Sequence, residues 1–168
     1  MSAILTRRLR AAALGLSVCA ALGLGACSKD SDLADASAFG AGAATPGSAQ
    51  DFVVNVGDRV FFESDSTDLT PTATATLDKQ AAWLQRYPRY TFIVEGHADE
   101  RGTREYNFSL GARRAQSVFD YLTTRGVAAG RMRTVSYGKE RPVAVCNDIS
   151  CWSQNRRAVI VLDKGAGA

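Results

Sequence analysis

The side chains best placed to do chemistry crowd into one stretch, Gly96-His97-Ala98-Asp99-Glu100-Arg101-Gly102-Thr103, followed by Arg104-Glu105-Tyr106-Asn107 and then Arg114. An imidazole beside two carboxylates raises acid–base or zinc chemistry. A hydrolytic zinc site takes about three protein ligands, often two of them His, and this chain has one His. No Ser lies in a nucleophile-elbow context, so Ser/His/Asp chemistry lacks its nucleophile. His97 reads as a hydrogen-bonded loop residue, and we expect no catalytic residue, no metal and no cofactor.

Asp99 and Arg114 offer a different chemistry. Asn107, Leu110 and Arg114 are spaced i, i+3, i+7, which puts them on one helical arc of roughly 60° flanking the apolar stripe. An opposed carboxylate and guanidinium at one rim suit an α-amino-acid head group, with the ammonium on Asp99 and the carboxylate in the Arg114 fork. The same spacing also fits a plain salt bridge between loop and helix, which when exposed contributes about 0–1 kcal/mol. Arg156 and Arg157 either contact a partner's carboxylates or pack over their neighbours at a strand start.

These groups need a frame. Phe52-Val53-Val54-Asn55-Val56 and Arg59-Val60-Phe61-Phe62 alternate like strands, with Gly57-Asp58 as a turn. Thr70-Pro71 starts a helix in which Ala73, Leu77, Ala81 and Leu84 recur until Pro88. Tyr90 to Glu95 is a strand ending at Gly96. A second helix runs from about Glu105 to Thr124, with a core stripe of Phe108, Gly111, Ala115, Val118 and Leu122, and Gly126 stops it. Arg133 to Tyr137 and Ala158 to Leu162 are the closing strands. Alternating strands and helices predict an α/β (α+β) two-layer sandwich with helices packed on a mixed sheet.

The N-terminus carries a different message. Three of the 20 basic side chains, Arg7, Arg8 and Arg10, precede an apolar run too short to span a bilayer, and no Asp or Glu lies in residues 1–26. The other 17 basic side chains equal the 17 acidic ones. The net charge of +3 therefore belongs to an export signal and gives no hint of nucleic acid. Leu24-Gly25-Ala26-Cys27 resembles a bacterial lipobox, which implies cleavage before Cys27 and acylation of it. Ser28 after it favours the outer membrane by resemblance to lipoprotein sorting. Residues 27–50 hold few large apolar groups and read as a lipidated tether of roughly 25 Å. The domain is then expected over residues 51–163, with 164–168 as a tail. Cys146 and Cys151 remain, and an oxidising compartment predicts a disulfide between them. A two-thiol redox site would more usually want C-x-x-C spacing.

Gly96 to Thr103, Tyr106-Asn107, Leu110-Gly111, Arg113-Arg114-Ala115 and Val118 together closely resemble the OmpA-like peptidoglycan-binding domain. Val135 to Pro142 and Asn155 to Val159 extend the match, which covers roughly residues 59–162. The resemblance implies non-covalent binding of the diaminopimelate side chain of peptidoglycan. Asp99 matches the ammonium-binding Asp of the family, Arg114 its carboxylate-binding Arg, and Asn107 and Leu110 the helix positions beside them. Phe62 to Leu69 matches the first strand-to-helix loop, where Asp65 fits a ligand-facing acid and Ser64 stands in place of the usual second aromatic. Asp65 and Asp68 serve equally well as helix-capping groups. The resemblance further implies an outer-membrane tether working with the Tol system, chiefly TolB, in envelope integrity and constriction at division. The alternatives are the same module in another envelope machine, and a cell-wall hydrolase using Glu95, His97 or Asp99.

Overall fold

The computed structural model describes residues 44–163. The signal segment 1–26, Cys27, the tether up to residue 43 and the tail 164–168 lie outside the described residues. Among the described residues, no helix is long and apolar enough to cross a membrane.

The chain first folds where tether was expected. Ser48 caps a short helix, α1 (Ala49–Asp51), by accepting the Asp51 N–H. Asp51 in turn accepts the Gly47 N–H and the Trp83 indole N–H, each at 2.8 Å. The Gly47 carbonyl accepts from Arg89 at 2.7 Å and from the Tyr90 hydroxyl at 2.8 Å. Gly47 has φ +79°, and a Cβ there would lie 2.4 Å from the Tyr87 ring. Residues 47–50 are thus part of the folded unit. The expected strand over Phe52–Val56 is instead one wide helical turn continuing α1. Its alternation of side chains resembles a strand, but the Ser48 cap and the bonds of Asp51 to Gly47, Asn55 and Trp83 fix a helical start. Phe52 is fully buried against Trp83, with ring centroids 4.9 Å apart.

After Gly57 the chain enters β1 (Arg59–Phe61) and then α2 (Pro71–Arg86), which Thr70 caps through the Ala73 N–H. The apolar period expected there is the buried face: Ala73, Leu77, Ala81 and Leu84. Burial of each leucine contributes about 1.5–3 kcal/mol. β2 (Phe92–His97) buries Phe92 and Val94 on one face. α3 (Arg104–Thr124) leads through a short 3-10 turn to β3 (Met132–Gly138). A further helix, α4 (Ile149–Asn155), precedes β4 (Arg157–Leu162). The sequence pattern assigns no element to this stretch.

The four strands form one mixed sheet in the order β1-β4-β2-β3, with β2 parallel to β3 and β4 antiparallel to β1 and β2. The helices pack on it around one core, an α+β sandwich as expected. α3 corrects one residue of its stripe: Phe108 is 57% exposed, whereas Leu110 is buried. α3 lies hard against the end of β2, because Gly96 and Gly111 meet with no side chain between them. A Cβ on Gly96 would sit 1.8 Å from the Gly111 carbonyl oxygen. That contact fixes the helix over the strand end from which the functional loop departs.

Candidate functional site

β2 ends at His97, and the loop to α3 is pinned at several points. Lys139 donates to the carbonyls of Glu100 and Gly102 at 3.1 and 2.7 Å. The Asn107 amide donates to the carbonyls of Arg101 and Thr103 at 2.6 and 3.1 Å. The loop that follows β1 comes alongside, and Asp65 within it adopts φ +58°. A left-handed backbone at a residue other than Gly is uncommon, although Asp tolerates it better than most. Such strain is found where surrounding structure imposes it, often at ligand sites.

Between these loops and the first turns of α3 lies a cleft of about 270 Å³, lined by Ser64, Asp65, Asp99, Arg101, Gly102, Tyr106, Asn107 and Leu110. Four of the five residues singled out from the sequence, Asp65, Asp99, Asn107 and Leu110, therefore line one hollow. Arg114 does not line it. Its guanidinium is fully buried and donates to three carbonyls: Nε to Ser66 at 2.9 Å, Nη1 to His97 at 2.9 Å, Nη2 to Glu63 at 3.1 Å. Burial, with the Arg156 charge nearby, pushes its pKa down to about 10. Arg114 thus ties the two loops of the cleft together from behind.

The salt bridge considered between Asp99 and Arg114 is made by other partners. Arg101 grips Asp99 from the solvent side, Nη2 to Oδ2 at 2.5 Å and Nε to Oδ1 at 3.0 Å. Arg156, buried beneath, brings Nη1 to 3.5 Å from Oδ2 while its Nε donates to the Phe62 carbonyl at 3.0 Å. Burial alone would raise the Asp99 carboxyl. The hydrogen bonds and charge of Arg101, with help from Arg156, outweigh it and hold the group below the usual carboxylate value. Asp99 therefore presents a committed negative charge at the cleft floor.

Asp65 accepts the Tyr106 hydroxyl, and this bond raises the phenol above its ordinary pKa. Asp65 is not a helix cap, because Thr70 fills that role at α2. Tyr106, missed in the sequence reading, forms a wall where Ser64 leaves the family's second aromatic out. Ser64 Oγ accepts from Arg101 at 2.8 Å. The Arg101–Asp99 pair had a signal in the sequence, two opposite charges two residues apart in a glycine-ended turn. Arg156 reads as a candidate carboxylate contact at a strand start, with nothing in the sequence to show that the carboxylate is that of Asp99.

His97 lies outside the cleft lining, 2% exposed, stacked on Tyr137 with centroids 5.6 Å apart. Its ring nitrogens have no hydrogen-bond partner, and Glu95 Oε2 stands 3.5 Å from Nε2. The expected hydrogen-bonded loop histidine is thus a buried strand-end residue. Burial, then the charges of Arg157, Arg141 and Arg59, push its pKa down to about 4. Cys146 and Cys151 form a disulfide with Cα atoms 5.6 Å apart. It closes the turn into α4, and Trp152, next in sequence, faces Arg101.

A profile described as the OmpA family matches residues 61–156. The chain is 64% identical over 150 residues to the peptidoglycan-associated lipoprotein of Rhizobium meliloti (strain 1021), covering 88% of this chain and 85% of that protein. It is 69% identical over 128 residues to the peptidoglycan-associated lipoprotein of Agrobacterium fabrum (strain C58 / ATCC 33970), covering 76% of this chain and 72% of the relative. Among solved structures, the peptidoglycan-associated lipoprotein of Burkholderia pseudomallei superposes with a TM-score of 0.61 at 40% identity, over 63% of this chain and 90% of that one. The C-terminal domain of Helicobacter pylori MotB also gives 0.61, at 25% identity, over 65% and 86% of the two chains.

Proposed function

Since the chain belongs to the OmpA family, we propose that it binds peptidoglycan non-covalently through the cleft between β2 and α3. The ligand is the diaminopimelate residue of the stem peptide. Its ammonium sits on Asp99, while Arg114 acts from behind the cleft, holding together the loops that carry Glu63, Ser66 and His97. Leu110 and Tyr106 line the hydrocarbon stem, and Asp65 borders the cleft opposite. The observation that carries this reading is the meeting of Asp65, Asp99, Asn107 and Leu110 in one hollow around a carboxylate kept ionised.

The step is binding and makes no bond. The groups that a hydrolase would use do not converge, because His97 lies buried on β2 away from the cleft while Asp99 is held between two arginines. Acyl chains on Cys27 hold the outer membrane. Acylation at more than one position on that residue would exceed the two-signal threshold for stable anchoring. The relatives' names, peptidoglycan-associated lipoproteins, support both ends of this tether. Within the envelope the protein works with TolB and the Tol system in integrity and constriction. Copurification with TolB separates that role from service in another envelope machine.

A sacculus pull-down tests the cleft. Asp99→Asn, checked by melting to be folded, is expected to lose a charge-assisted contact of about 1.5–3 kcal/mol, roughly 10- to 150-fold in affinity. Undiminished binding by the folded variant would remove Asp99 from the site.

A further inference from the structure

Arg101 already occupies the position that the proposed ligand cation needs. Its guanidinium engages both oxygens of Asp99 and also reaches Ser64. Asp99 is 8% exposed at its side chain and Arg101 43%, so the arginine stands between the carboxylate and solvent. The backbone beneath is fixed, because the Arg101 N–H donates to Asp99 Oδ1 at 3.1 Å and its carbonyl accepts from Asn107 at 2.6 Å. Only the side chain is free to move aside.

One group holds that side chain from the other direction. The Trp152 ring lies against the guanidinium at 4.2 Å from its centroid. The ring is itself well placed: its indole N–H donates to Glu100 Oε1 at 3.1 Å. Its helix is anchored twice, by the Cys146–Cys151 bridge at its first turn and by Asn155. The Asn155 side chain binds the N–H groups of Val143 and Ala144 and the Ala144 carbonyl. The proposed function of the cleft uses neither the disulfide nor α4, yet both converge on Arg101.

We propose that Arg101 is a built-in stand-in for the ligand ammonium, and that Trp152 is the positioning residue that sets how readily it gives way. Given the proposed ligand, binding is an exchange of cations at Asp99. The incoming ammonium replaces the guanidinium, and Arg156, buried beneath, stays in place. A cation against an aromatic face at a half-exposed site favours the latched state by a factor of roughly two to five. Removing the ring therefore raises affinity for an ammonium-bearing ligand and leaves a ligand without one untouched.

The test uses the full chain and two probes, meso-diaminopimelic acid and pimelic acid, which has the carboxyl groups and no amine. Calorimetry on Trp152→Ala is expected to show roughly two- to fivefold tighter diaminopimelate binding, with pimelate unchanged. Trp152→Phe keeps a ring face without the N–H and restores wild-type affinity. Without any ligand, the Arg101 Nε–H proton should exchange slowly with solvent in wild type and in Trp152→Phe, and quickly in Trp152→Ala. Equal or weaker diaminopimelate binding by folded Trp152→Ala would overturn the latch, as would an Nε–H exchange rate that the substitution leaves unaltered. Failure of the wild type to bind diaminopimelate would count against the proposed ligand, while the exchange rate still decides whether Trp152 holds Arg101.

Discussion

Acid should unfold this domain through His97, a residue that the binding reading does not use. Its imidazole is 2% exposed, with no partner for either nitrogen. In the unfolded chain it titrates near 6.5, and in the fold near 4. Burial opposes the charged form, and Arg157, Arg141 and Arg59 add to that, with Glu95 the nearby acid. A cation with a lowered folded pKa binds its proton more tightly when unfolded, so stability falls as pH drops from about 6.5 to about 4 and levels off below. At 1.36 kcal/mol per unit, the loss over that window is about 3 kcal/mol. The slope near pH 5 is about one proton. The measurement is urea unfolding followed by tryptophan fluorescence at several pH values between 7 and 4, on wild type and on His97→Gln. The variant should show a slope shallower by about one proton across the window. Parallel curves for the two proteins would refute the argument that burial of this imidazole governs acid stability.

Three further outcomes follow from the packing. Arg114→Met removes three hydrogen bonds, one to the buried His97 carbonyl and two to the part-buried carbonyls of Glu63 and Ser66, so denaturant melts should show a loss of about 2–4 kcal/mol, with Arg114→Lys recovering only part. Gly111→Ala places a Cβ 2.5 Å from Ser136 Oγ and 2.8 Å from the Gly96 carbonyl oxygen. Thermal scans should show a loss of about 1–3 kcal/mol as α3 is lifted from β2. Reducing the Cys146–Cys151 bridge frees a small ring, and loop entropy puts the cost at or below about 3 kcal/mol. An unchanged melting temperature in dithiothreitol would show that the ring does not constrain the unfolded chain.

What could be read from the sequence depended on whether the cause was local. α2 and α3 were legible because their apolar periods and the Thr70-Pro71 start operate within a few residues of themselves. Strands β2, β3 and β4 were legible from runs of β-branched and aromatic residues. Val53-Val54-Asn55-Val56 misled because alternation looks the same in a strand and in one helical turn. What decides between them is Asp51, whose carboxylate reaches Gly47, Asn55 and the distant Trp83. α4 is seven residues with no apolar period, held by the Asp148 cap and by Asn155 reaching back to residues 143 and 144. The same division runs through the site. Asp99, Asn107 and Leu110 were placed by turn and helix spacing, and Asp65 by resemblance. The assignment of Arg114 to the rim failed because its carbonyl partners come from loops that approach only on folding. Arg156 joins Asp99 from the start of the last strand, a closeness that no spacing rule contains.

The clasp at Gly47 also has a mechanical meaning. Any tension on the chain upstream of residue 44 enters the domain at Gly47, whose carbonyl and N–H are gripped by Arg89, Tyr90 and Asp51. Those anchors sit at the Tyr87 end of α2, whereas the loop carrying Ser64 and Asp65 leads into the Thr70 end. A pull between the two is carried along a helix of 16 residues, about 24 Å, and across the sheet beneath it. The first structure to yield would be the short α1 and the turn after it. Their loss would free several residues of chain before load reached the strands that shape the cleft. The N-terminal clasp is in effect a shock absorber in series with the cleft.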